Sequence, residues 1–111
     1  MPRRLTPLTP DALAEATRDD DTRALVKHYL ALLQERAPGN SVEVRVPPYA
    51  AVQVIAGVRH TRGTPPAVVE TDAETWLALA RGDLSWTDAL EQARVRASGE
   101  RADLAGYLPL G

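Results

Sequence analysis

Residues 70–110 read ETDAETWLALARGDLSWTDALEQARVRASGERADLAGYLPL. This stretch holds both tryptophans of the chain, Trp76 and Trp86, behind two consecutive helix starts. Thr71-x-x-Glu74 matches a capping box, with Asp72 as the alternative N-cap, ahead of Trp76-Leu77-Ala78-Leu79-Ala80. That pattern predicts a helix of two to three turns ended by Gly82. Ser85-x-x-Asp88 repeats the device before a second short helix, on which Trp86, Ala89, Leu90 and Ala93 share a face at helical spacing. Arg94 to Ser98 alternates charged and apolar residues, as a short strand turned by Gly99 does. Ala102 to Leu108 is expected to add a helical turn or two over the sheet, closed by Pro109.

Upstream, residues 1–8 carry two prolines and no apolar period, which predicts a loosely held N-terminal arm before a single domain over residues 9–111. Thr9-Pro10-Asp11 places an N-cap, a proline at the first helical position and an acid in the first turn of a helix over Pro10 to Thr17. The longest helix is predicted over Thr22 to Ala37. Leu25, Val26, Tyr29, Leu30, Leu32 and Leu33 form its apolar face, with Lys27, Ala31, Gln34 and Glu35 opposite. His28 falls at the edge of the polar side and is expected to be solvated or capping. Asp19, Asp20 and Asp21 lack the Gly and Glu spacing of a calcium loop, since Ala24 and Leu30 stand at its sixth and twelfth positions. Acids at a helix N-terminus account for them better.

Ser41 to Tyr49 alternates Val42, Val44 and Val46 with Glu43 and Arg45, as a half-buried strand does, and Pro47-Pro48 ends it. A second strand is predicted over Ala50 to Val58, with Val52, Val54, Ala56 and Val58 on one face and Ile55 on the other. Ala67 to Thr71 makes a third, expected to lie antiparallel to the second because the connection looks short, so that the three form a meander. Between them Arg59, His60 and Arg62 cluster in a loop, either as a polar hairpin tip or as a site for an anionic head group.

Composition narrows the function classes. The 111 residues carry 44% hydrophobic and 25% charged residues but no Phe, so the core rests on Leu, Val and Ala. A net charge of -2 with scattered arginines argues against a nucleic-acid binder. The absence of cysteine excludes disulfides, thiolate metal sites and cysteine nucleophiles. Two histidines, His28 and His60, show no spacing that suggests a metal centre, and Ser41, Ser85 and Ser98 sit in no nucleophile elbow. The seven glycines form no phosphate-binding pattern. No catalytic residue, metal or cofactor is therefore assigned. With neither a signal-like N-terminus nor an 18-residue apolar run, a cytoplasmic protein without stable membrane insertion is expected.

The block from His60 to Trp86, HTRGTPPAVVETDAETWLALARGDLSW, and that from Val95 to Leu110, VRASGERADLAGYLPL, resemble the sterol carrier protein superfamily in its short bacterial branch. The same domain is found at the C-terminus of mycothiol-dependent maleylpyruvate isomerase-like enzymes. Those enzymes keep their metal histidines in a separate N-terminal domain, so the resemblance implies none of that activity here. In the family an aspartate precedes a helix bearing a bulky aromatic and leucines, a Gly ends it, and a second helix and a Gly-containing hairpin follow. Asp72, Trp76, Leu79, Gly82, Leu90 and Ser98-Gly99-Glu100 stand at those positions. The resemblance implies an α+β fold with a twisted, mostly antiparallel sheet of about five strands, covered on one face by helices. It also implies an apolar tunnel for lipids or fatty-acyl chains.

Two functions follow as expectations. The first is non-catalytic carriage of an apolar small molecule, such as a lipid, fatty-acyl chain or sterol, in a cavity lined or bordered by Val52, Val54, Trp76, Leu79, Trp86, Leu90 and Leu104, with Arg59, His60 and Arg62 as possible head-group ligands. The second is a protein-interaction module with a filled core, working as a homodimer or beside a separate mycothiol-dependent enzyme domain. Periodicity alone favours tryptophans that fill a core; the resemblance makes them walls of a cavity.

Overall fold

A computed structural model of the chain describes residues 4–57, 67–99 and 102–110. Helix α1 (Pro10–Arg18) starts where Thr9 accepts a hydrogen bond from the Ala12 amide at 3.2 Å. Helix α2 (Thr22–Arg36) starts at Asp21, whose carboxylate accepts from the Ala24 amide at 3.2 Å, so the last of the three aspartates is a cap. Strands β1 (Val42–Val46) and β2 (Ala50–Val54) form a hairpin around Pro47-Pro48. Strand β3 (Ala67–Thr71) leads into α3 (Ala73–Arg81), followed by α4 (Trp86–Glu91), β4 (Val95–Ser98) and a single 3₁₀ turn over Ala105–Tyr107.

Period-two burial orients the sheet. Val42, Val44, Val46, Val52, Val54, Ala67, Val69, Thr71 and Val95 are buried on one face, where α2 packs on β2 and α4 on β4. Arg45, Ala51, Arg96 and Ser98 are exposed on the other. The fold is thus α+β, one sheet with helices on one face.

The sheet corrects the expected meander. Among the described residues it has four strands rather than about five, in the order β2-β1-β3-β4, and it is mixed. β1 pairs antiparallel with β2 (Val44 opposite Val52) but parallel with β3 (Val44 opposite Val69), while β3 and β4 are antiparallel. β3 does run opposite to β2, yet β1 lies between them. The cause is where β2 stops. Val54 is its last residue, so the link to β3 runs over residues 55–66, long enough to carry the chain past β1.

Ile55 is what stops it. Its φ of 67° lies in the left-handed region, which a β-branched residue enters only under constraint. Its amide donates to Ala37 O at 2.7 Å, and its carbonyl accepts from the Ser41 amide at 3.0 Å and the Ser41 hydroxyl at 2.6 Å. These bonds tie the end of α2 to the end of β2 and fix the helix on the sheet. Gly39, at φ 151°, passes so close that a Cβ there would overlap the carbonyl carbon and oxygen of Ile55.

Local signals were borne out with small shifts. Asp72, not Thr71, caps α3, its carboxylate accepting from the Thr75 amide at 2.7 Å; Thr71 instead ends β3 and donates to Arg94 O at 2.9 Å. Gly82 ends α3 at φ 85°, and Ser85 caps α4 by accepting from the Asp88 amide at 3.1 Å. Leu90, on α4, and Ala93, beyond its end at Glu91, are exposed rather than sharing the buried face of Trp86 and Ala89. The predicted last helix shrinks to the 3₁₀ turn.

The largest departure concerns α2. Ala31 and Gln34, assigned to its polar side, are buried, and His28 is only 5% exposed. The N-terminal segment holds on to two of them, His28 and Gln34. The Leu5 amide donates to Gln34 Oε1 at 3.0 Å and the Leu8 amide to His28 Nδ1 at 2.9 Å, so residues 4–8 are a strap held on α2, not a loose arm.

If Gly39 is the point where backbone meets backbone, Gly39→Ala lowers stability by about 2 kcal/mol or more. Gly106→Ala, where an added Cβ meets nothing within 4 Å, changes it by less than about 0.5 kcal/mol. Urea unfolding midpoints of the two variants measure the difference, and equal midpoints would refute the close approach of Gly39 to Ile55.

Candidate functional site

Trp76 is fully buried and Trp86 is 6% exposed, and the two have different surroundings. Trp76 sits in the same buried cluster as Val26, Leu30, Val44, Val52 and Val69, and its indole N–H donates to Val26 O, 3.3 Å away. That bond satisfies the one polar atom of the ring inside an apolar core. Trp76 therefore fills the layer between helices and sheet.

Trp86 instead borders a cleft of about 310 Å³ between the end of α3, the start of α4 and the C-terminal segment. Leu79, Leu84, Trp86 and Leu108 supply its apolar surface, with Gly82, Ala105 and Pro109 between them and Ser85 and Thr87 among its polar lining. The walls are built by three local devices. Gly82 reverses the chain in the left-handed conformation, which sends Leu84 back along α3. Ser85 then restarts a helix and fixes Trp86 on its inner side. The far wall is held from a distance: Arg36, at the end of α2, donates to the carbonyls of Tyr107 at 3.0 Å and Pro109 at 2.7 Å, and the Leu110 amide donates to Ala80 O at 2.7 Å. The Ser85 hydroxyl accepts from the Asp88 amide, so its own proton remains available to a ligand's polar end.

A larger groove of about 450 Å³ lies between the α1–α2 turn and α3, but Asp20, Glu74, Arg81 and Asp83 rim it. A third, of about 260 Å³, is lined by Glu70, Asp72, Arg94 and Arg96. Both put charges where an apolar molecule has none to pair with. A fourth cleft of about 300 Å³ at the β1–β2 turn, lined by Pro47, Pro48, Tyr49, Ala50, Ala51 and Arg45, is mostly apolar but lies more open to solvent than the one beside Trp86.

Six of the seven residues expected around a cavity come together in one buried cluster: Val52, Val54, Trp76, Leu79, Trp86 and Leu104. Only Leu79 and Trp86 of these reach the cleft. Leu90 stands apart at 43% exposure on the outer side of α4. Arg59, His60 and Arg62 lie outside the described residues. Sequence reasoning missed Leu84, Ala105, Leu108 and Pro109 as lining residues. The apolar pairing of Leu84 with Trp86 around the cap Ser85 was a usable signal, whereas nothing local marks the Leu108-Pro109 wall.

Comparison with known proteins gives the family. Residues 18–110 match the family model described as bacterial SCP ortholog. The chain belongs to this family, within the sterol carrier protein superfamily. Among solved structures, that of sterol carrier protein 2 like 2 from Aedes aegypti is similar with 18% identity and a TM-score of 0.39, over 87% of this chain and 98% of that one. A search of curated sequences finds no match. The family match begins at the last residue of α1 and takes in α2, all four strands and both walls of the cleft. Among the described residues of this sterol carrier family member, no helix is long and apolar enough to cross a membrane.

If Arg36 holds the C-terminal wall, Arg36→Met leaves the core folded but speeds hydrogen exchange of the Leu110 amide, whose partner is Ala80 O. Exchange at Leu110 as slow as in the parent protein would show that the wall stands without Arg36.

Proposed function

We propose that the chain is a non-catalytic, cytoplasmic carrier of an apolar, chain-shaped molecule of the lipid or fatty-acyl class. It takes up that molecule in the cleft beside Trp86. The observation that carries this reading is the cleft itself: leucines and an indole facing one another across about 310 Å³, in a member of the sterol carrier family. That volume is at the low end for small-molecule sites, which favours one narrow chain over a bulky ring system. Burial of apolar surface supplies the affinity, at about 25 cal/mol for each Å² removed from water. Ser85 and Thr87 orient the polar end. Val52, Val54, Trp76 and Leu104 belong to the same buried core cluster as the cleft residues Leu79 and Trp86. Catalysis has no part in the proposal.

The proposal is tested with dansyl-labelled undecanoic acid as the probe. The parent protein gives saturable enhancement of the dansyl emission. Leu84→Asp, which puts a carboxylate against the alkyl chain, weakens binding by about tenfold or more. Val68→Asp on the other face of the sheet leaves the affinity unchanged. Absence of saturable binding, or equal loss in the two variants, would defeat the proposal.

A further inference from the structure

His28 is a buried titratable residue that the cleft does not use. It lies on α2 in a pocket closed by the N-terminal segment, with its ring edge against Tyr29, the centroids 4.9 Å apart. Its Nδ1 accepts the Leu8 amide at 2.9 Å, so Nδ1 is bare and the ring proton resides on Nε2. Six residues further along α2, Gln34 Oε1 accepts the Leu5 amide at 3.0 Å. The two side chains thus grip the backbone of residues 5–8 at both ends, while Leu5 packs on the core cluster. Of the two grips only one can change charge.

Protonation of Nδ1 turns that acceptor into a donor pointing at another donor, and it places a cation in a buried pocket. Burial holds His28 below its ordinary value, and the Glu35 carboxylate on the same helix opposes this with a smaller upward pull. The remaining charges on the surrounding elements are Arg4 on the segment itself, Asp11, Glu15 and Arg18 on α1, Arg23, Lys27 and Arg36 on α2, and Glu74 and Arg81 on α3; β2 carries none. Of these, Lys27 alone is partly buried and the rest are exposed. The guanidinium of Arg81 sits 5.8 Å from the centre of the Tyr29 ring, which adds positive rather than negative charge to the neighbourhood. A cationic His28 therefore has Glu35 as its one carboxylate partner of consequence.

We propose that residues 4–8 are a pH-gated strap: neutral His28 locks it onto α2, and protonated His28 releases it, uncovering the seat of Leu5 on the apolar core. The sign follows from linkage. The released strap leaves His28 in water with its ordinary affinity for protons, near pH 6.5, and the docked strap binds the proton more weakly. Docking is therefore fully favoured above about pH 6.5 and is lost as pH falls through the lower value of the docked state.

Amide hydrogen exchange of the full chain, followed by NMR and corrected for the intrinsic pH dependence of exchange, reads the strap directly. Protection of the Leu5 and Leu8 amides falls by about tenfold or more between pH 7.5 and 5, as loss of a hydrogen bond in a buried setting requires. Protection of Val44 in the central strand stays constant. In His28→Asn the side-chain carbonyl keeps an acceptor near the position of Nδ1 and nothing titrates, so Leu5 and Leu8 remain protected at both pH values. Flat protection in the parent protein, or an equal fall in His28→Asn, overturns the proposal. Should His28→Asn not fold, the parent protein still decides the matter. The Leu8 amide nitrogen shift must titrate with the same midpoint as the His28 ring carbons, and a different midpoint, or none, overturns it.

Discussion

Everything in this fold rests on how Trp76 is buried. A tryptophan side chain removes roughly 150–250 Å² from water, worth about 4–6 kcal/mol at 25 cal/mol per Å², which is comparable to the whole net stability of a small domain. With no Phe in the chain, the other buried side chains are mostly Val, Leu and Ala, and Trp76 is the largest of those with under 2% exposure. The Asp72 cap sets the phase of α3 so that Trp76 points inward, and the carbonyl of Val26 takes its N–H. That single bond also explains why α2 and α3 pack where they do, since the indole reaches across from one helix to the backbone of the other. The consequence for function is that the layer most suited to a tunnel is occupied by protein.

The second tryptophan is free for another use because it lies one helix later, beyond the reversal at Gly82. Trp86 is buried too, with Ala89 beside it on the inner face of α4, yet it stands at the border of the cleft rather than in the middle of the core. The opposite wall has no α-helix or strand, only the single 3₁₀ turn over Ala105–Tyr107 and the residues after it. Arg36 and the Ala80 carbonyl hold it through backbone groups of Tyr107, Pro109 and Leu110, which makes it the wall of the cleft most readily displaced without unfolding the sheet. A site with one rigid side and one side held by a few polar contacts suits uptake and release of cargo, as the carrier reading requires.

What the sequence made legible divides cleanly along a physical line. Features decided within a few residues were readable: Thr9 and Ser85 as caps, the aspartates before α2 as acids at a helix N-terminus, Gly82 as a helix end, and the alternation of Val42, Val44 and Val46. Features decided by distant partners were not. Ile55 looks like a continuing strand until Ala37 and Ser41 clamp it, and that clamp lengthens the link and reorders the sheet. His28 and Gln34 look solvent-facing until residues 4–8 fold back on them. Leu90 matches the spacing of an inward face on a helix that in fact ends one residue later. The candidate site shows the same split, since Leu79 and Trp86 were readable on their own helices and the Leu108-Pro109 wall depends on Arg36, more than seventy residues away.

The central claim is that one tryptophan plugs the interior while the other meets the cargo. The chain contains only these two indole groups, so a two-dimensional ¹H–¹⁵N spectrum resolves them as two signals. On addition of dodecanoate, the account predicts that the Trp86 indole signal moves saturably while that of Trp76, bonded to the Val26 carbonyl, stays in place and exchanges slowly with deuterium. A ligand-dependent shift or rapid exchange of the Trp76 signal, with Trp86 unchanged, would contradict it.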